Sequence, residues 1–185
     1  MSGMSNMSKA LSVKQMDGSG LKIGIVVSRW NEEVTSVLQK RCEQALRDSG
    51  VKKSNIFIVH APGSFELPLA AKKMIGAKKV DAVVCLGCLI KGETMHFEYI
   101  AMAVSQGIMN VGLETGVPAI FGVLACLDVK QAKERAFEKG RDFGYEWGLS
   151  AVEAGLLKKS IRGLSPNDPN CHSRRSLPLR RRGRE

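Results

Sequence analysis

The sequence predicts an α/β sandwich, a four-stranded, mostly parallel sheet covered by helices on both faces. Two observations carry that reading. Four short apolar runs, rich in Ile and Val where they are longest, alternate with segments of helical period. The first run has no alternating polar positions, as in a strand buried on both faces. Strands joined through helices form right-handed crossovers and therefore lie parallel.

Taken in order, "LKIGIVVS" (21–28) is the first strand. Asn31 followed by Glu32 and Glu33 marks a helix start, a polar cap and then acids at the positive end of the dipole. Val34, Leu38, Cys42, Ala45 and Leu46 keep helical spacing until Gly50 ends the segment. "NIFIVH" (55–60) is the second strand, and after the turn Ala61-Pro62-Gly63-Ser64 comes a short helix over 65–76. "DAVVCLGCLI" (81–90) is the third strand, broken at Lys91-Gly92-Glu93-Thr94 before a helix running to about Asn110. "VPAIFGVLA" (117–125) is the fourth, and two helices within 128–140 and 141–160 close the chain.

The 185 residues, 44% hydrophobic and 25% charged, suit one soluble domain with a core of its own. No apolar run is long enough to span a membrane, and the N-terminus lacks the apolar block of a signal peptide, so the expected location is cytoplasmic. The net charge of +10 suggests nucleic acid until it is located. Residues 161–185 hold seven arginines against Asp168 and Glu185, which is half of that excess. With three prolines and no regular period, this stretch reads as a disordered basic tail. The domain at 21–160 shows no basic stripe and calls for no nucleic-acid partner; residues 1–20 read as an N-terminal arm.

Cys85 and Cys88 form a CxxC, but no second Cys/His cluster completes a metal shell, so no metal is expected. Residues three apart on a strand point to opposite faces, so the two sulfurs cannot meet. They read as core thiols of a reducing compartment.

In parallel α/β folds ligands bind outside the carboxyl ends of the strands. His96 falls there, in the first turn of a helix entered through Gly92-Glu93-Thr94. Free N–H groups and the helix dipole at that turn make an anion site, and the same dipole favours a neutral imidazole able to act as a base. The competing reading is a histidine held by a carbonyl. Trp30, at the end of the first strand, either stacks on a planar heterocycle or closes the rim of the core. Phe65 and Phe121 read as core. Arg135 is either a phosphate clamp or a solvated helical arginine. The glycines of "GSGLKIG" precede the first strand instead of following it, which gives no dinucleotide fingerprint.

Four stretches, "IGIVVSRWNEEVT", "APGSFELPLAAKKM", "LGCLIKGETMHFEYIA" and "GVPAIFGVLACLDVKQAKERA", resemble in order and spacing the motifs of the 6,7-dimethyl-8-ribityllumazine synthase family. The resemblance covers about residues 20–160. It implies a flavodoxin-like fold and condensation of 5-amino-6-(D-ribitylamino)uracil with 3,4-dihydroxy-2-butanone 4-phosphate, with no cofactor. It places Trp30 against the pyrimidine, Asn31 among the substrate-binding residues, Ser64, Phe65 and Glu66 against the ribityl chain and ring, and the backbone of Cys88, Leu89 and Ile90 against the pyrimidine. It assigns phosphate binding to Glu93 and Thr94, and proton transfer to His96. Phe121 and Arg135 would come from an adjacent subunit, Arg135 contacting phosphate, in a pentamer or an icosahedral shell of pentamers. The chain departs from the family pattern at Ala125, at Ala136-Phe137 and at Phe143, which stands where the family has a lysine; Lys139 is the nearby candidate to replace it. A binding or shell protein that keeps the flavin-type pocket without turnover is the alternative.

Overall fold

The computed structural model describes residues 16–137 and 142–164. The N-terminal arm up to residue 15, Lys139 and the basic tail from residue 165 lie outside the described residues.

Four strands form one sheet: β1 (Ile23–Ser28), β2 (Ile56–Ala61), β3 (Ala82–Ile90) and β4 (Ala119–Cys126). Their order is β2-β1-β3-β4, every pairing is parallel, and this is the flavodoxin-like winding. The helices are α1 (Glu32–Asp48), α2 (Leu67–Lys78), α3 (His96–Thr115), α4 (Val129–Phe137) and α5 (Phe143–Arg162), with a 3-10 turn over Ser64–Glu66 leading into α2.

Alternation along the strands builds the two apolar layers. Ile23, Ile25 and Val27 of β1 join Leu86 and Cys88 of β3 under α1, α4 and α5. Val26 of β1 joins Val83 and Cys85 of β3 under α2 and α3. The CxxC sulfurs therefore lie on opposite sides of the sheet. Cys42, Cys85, Cys88 and Cys126 are free and buried. On the first face α5 approaches α1 so closely that a Cβ at Gly148 would lie 2.7 Å from the Cys42 carbonyl oxygen.

Element bounds follow the sequence closely, with two informative differences. Helix α3 runs on to Thr115 and ends where Gly116 turns left-handed (φ 62°), the conformation that stops helices with least cost. Asn31 precedes α1 as expected, yet its side chain accepts no hydrogen bond from the first turn. Its backbone is itself left-handed, with φ 60° and ψ 44°, and its amide is engaged elsewhere.

Candidate active site

Beyond the carboxyl ends of β1, β2 and β3 the strand-to-helix turns leave a cleft of about 510 Å³, within the usual range for small-molecule sites. Three separated segments meet there: Trp30-Asn31 after β1, Pro62–Glu66 after β2, and Cys88 to Ile100 spanning the end of β3 and the start of α3. Of the residues expected to form a site, the fold brings together Trp30, Asn31, Ser64, Phe65, Glu66, Cys88, Leu89, Ile90, Thr94 and His96.

Trp30 is 74% exposed, so it does not close the rim of the core; its indole borders the cleft. Phe65, expected in the core, is 57% exposed and borders the same cleft. That expectation took aromatic character for burial, whereas here the fold turns the ring towards solvent. Ser64 is only 4% exposed, and its hydroxyl has no hydrogen-bond partner. It faces Gly87 of β3 beneath the turn, where a Cβ would lie 2.7 Å from it. One carboxylate oxygen of Glu66 accepts from the Gly63 N–H at 2.9 Å, which closes the turn.

On the opposite wall Cys88 is buried, and burial pushes its thiol up to about 12, so it stays an inert thiol. The Asn31 amide donates to its carbonyl oxygen at 2.8 Å. The turn between β3 and α3 is tied by Lys91. Its ammonium reaches the Thr94 carbonyl at 3.1 Å and the Glu98 carboxylate at 2.5 Å. That bond holds the Glu98 carboxyl below its ordinary value. His96 is the first residue of α3, and its N–H points towards the Thr94 hydroxyl at 3.4 Å. Its imidazole is exposed at the cleft, and no carbonyl of the described residues holds the ring.

Three expected residues stand apart from the cleft. Glu93 lies in the turn but does not line it. Phe121, also read as core, is 41% exposed on β4; among the described residues β4 is an edge strand, with no strand paired along one flank. Arg135 lies on α4, half-buried, donating to the Gln131 carbonyl of its own helix at 3.2 Å. It makes no ion pair among the described residues, and its charge opposes the upward shift that burial gives the Cys126 thiol. Phe143 packs on Trp147 with ring centroids 5.6 Å apart and against the core, so it supplies no lysine-like function.

Sequence reading missed Phe97 and Ile100, which face the cleft with His96 at positions i, i+1 and i+4 of α3. It also missed Gly87, where a Cβ would lie 2.7 Å from the Ser64 hydroxyl oxygen. A glycine inside a strand was the available signal for such a close approach. Among the described residues no group of three or more His, Cys, Asp or Glu is placed to hold a metal ion. No helix among them is long and apolar enough to cross a membrane.

A flavodoxin-like parallel sandwich, with an aromatic-edged cleft at its strand ends and a histidine opening the adjoining helix, defines an α/β protein with a small-molecule cleft. Residues 20–159 match the family described as 6,7-dimethyl-8-ribityllumazine synthase, and the chain belongs to that family.

Proposed function

We propose that this protein condenses 5-amino-6-(D-ribitylamino)uracil with 3,4-dihydroxy-2-butanone 4-phosphate to 6,7-dimethyl-8-ribityllumazine, releasing phosphate and water, the penultimate step of riboflavin biosynthesis. The observation that carries the reading is the convergence, in a member of this family, of Trp30, Ser64 to Glu66, Cys88 to Ile90, Thr94 and His96 on one cleft. Trp30 offers a face for the pyrimidine. The free lone pairs of Glu66 suit a polyhydroxylated ribityl chain. Backbone groups of Leu89 and Ile90 suit the edge of the ring.

The amine of the pyrimidine attacks the ketone, and the adduct loses water to give an imine. Elimination then expels phosphate and leaves an enol that becomes a ketone, and attack on that ketone by the ribitylamino nitrogen, with loss of a second water, closes the ring to the lumazine. Each stage moves a proton, which the exposed imidazole of His96 is placed to relay. The turn at Glu93 and Thr94, opening onto the N-terminus of α3, favours the departing phosphate. Holding two reactants in one cleft supplies much of the remaining acceleration.

Arg135 and Phe121 serve the cleft of an adjacent subunit in this account, because neither lines the cleft of its own chain. A homo-oligomer follows, a pentamer or an icosahedral shell of pentamers. Support comes from α3 and its N-cap Met95, where Met95, Tyr99, Met102, Met109 and Leu113 are exposed at spacings that align them along one stripe. The free buried thiols fit a cytoplasmic location. The test is direct: purified protein is mixed with both substrates, and lumazine fluorescence is followed alongside phosphate release. Equimolar lumazine and phosphate above the uncatalysed rate are expected. Tight binding of the pyrimidine with no product would instead make it a binding protein.

A further inference from the structure

We infer that Asn31 is a positioning residue, which latches the end of β1 to the end of β3 and thereby sets the two walls between which the pyrimidine is held. The inference rests on the proposed reading of the cleft and adds to it a role for Asn31 other than contact with substrate.

Pairing between β1 and β3 stops at Val27 and Leu86, whereas β3 continues along β4 to Ile90. Beyond Val27 only Ser28 remains in β1, and the N–H after it, that of Arg29, donates to Ala61 on β2. The carbonyl of Cys88 is then left without a backbone donor from β1. The Asn31 Nδ2 fills the place at 2.8 Å across 57 residues of sequence, so a side chain extends the ladder after the backbone has left it.

Two further facts set this apart from an ordinary helix cap. Asn31 stands at the N-cap position of α1 yet makes no side-chain cap, so its amide is committed to β3. Its φ of 60° is a conformation that asparagine tolerates and most other residues do not. Around it the turn is over-determined: the Thr35 hydroxyl donates to the Ser28 carbonyl at 3.0 Å, and the Asn31 carbonyl accepts from Val34 and Thr35. Trp30 precedes this fixed point directly, and Leu89-Ile90 follow Cys88. The latch therefore fixes the indole relative to the opposite wall, the dimension that a planar ring must match.

Three variants of the full chain test it. Asn31→Gly keeps the left-handed backbone and loses only the amide. Asn31→Asp keeps size and backbone tolerance but sets an acceptor against the Cys88 carbonyl. Asn31→Ala loses the amide and strains the backbone as well. With Asn31→Gly, the KM for the ribitylaminouracil should rise about tenfold, the worth of one buried hydrogen bond, while that for the butanone phosphate stays within about twofold. Asn31→Asp should be worse, and Asn31→Ala should match Asn31→Gly in KM while melting lower. A wild-type KM in Asn31→Gly with damage confined to Asn31→Ala would reduce the residue to a turn former and overturn the inference, as would equal rises in both KM values. Hydrogen exchange over residues 87–91 needs no ligand: Asn31→Gly should speed it about tenfold, and unchanged exchange would refute the latch. If the wild-type chain shows no turnover, the proposed reaction fails, while the exchange result still decides the latch.

Discussion

Replacing Gly87 by alanine probes the link between packing and site most sharply. Gly87 lies in β3, the strand between β1 and β4, on the face covered by α2 and the 3-10 turn. A Cβ there would lie 2.7 Å from the Ser64 Oγ, 3.1 Å from a Leu67 methyl and 3.4 Å from a Val123 methyl. Comfortable contact needs roughly 3.5 Å, so the turn carrying Ser64, Phe65 and Glu66 must move outward into the cleft. Overpacking of this kind costs about 1–3 kcal/mol, and the stiffer unfolded chain returns only about 0.4–1 kcal/mol. The net loss, about 1–2 kcal/mol, lowers the urea midpoint by roughly 0.5–1 M at ordinary m-values. Displacing the turn by about half an ångström should also lower kcat/KM about tenfold. Because the Ser64 hydroxyl is buried without a partner, Ser64→Ala should be close to neutral for stability. In the double variant it should restore most of the stability lost by Gly87→Ala. Urea unfolding of the four proteins measures this. A wild-type midpoint in Gly87→Ala, or no rescue in the double variant, would refute the packing argument.

Three further outcomes are expected. His96→Ala should fold normally and turn over roughly ten- to a thousandfold more slowly, since the imidazole faces the cleft while proximity remains; an unchanged rate would remove His96 from the mechanism. Arg135→Ala should raise the KM for the butanone phosphate far more than that for the pyrimidine, and steady-state kinetics in which the pyrimidine constant alone moves would exclude it as the phosphate clamp. Burial pushes the thiols of Cys42 and Cys85 up to about 12, against about 8.5 for an unfolded thiol. The folded state keeps protons that the unfolded chain releases, so their contribution is complete below about pH 8.5 and is lost as pH rises towards 12. Urea midpoints should therefore fall on the alkaline side, and Cys85→Ala should flatten that fall; an undiminished slope in the variant would contradict the assignment.

The first strand was legible because its burial is written as composition: all six residues of β1 are buried, and the run contains nothing that needs water. The separation of Cys85 from Cys88 followed from the two-residue period of a strand alone. The cleft was legible in part, through residues that fall at strand ends. What misled was aromatic character. Phe65 and Phe121 have the composition of a core and the position of a surface, and only the fold reveals which surface they occupy. Asn31 misled differently: a polar residue before Glu-Glu reads as a cap, and nothing local announces a left-handed backbone or a partner 57 positions away. The clamp of Lys91 on Thr94 and Glu98 likewise depends on a turn geometry that no spacing encodes.

The proposed condensing site combines the cleft of one subunit with Arg135 of the next. Mixed assemblies test this directly. One variant, Trp30→Ala with His96→Ala, spoils the cleft and keeps Arg135; the other, Arg135→Ala, spoils the clamp and keeps the cleft. The two chains are co-refolded in equal amounts and assayed for lumazine at limiting butanone phosphate. If neighbours in a closed ring share each site, about one site in four receives both intact halves, and about a quarter of wild-type activity returns. Activity no greater than the average of the two parents would show that each chain builds its whole site alone, and would contradict the account.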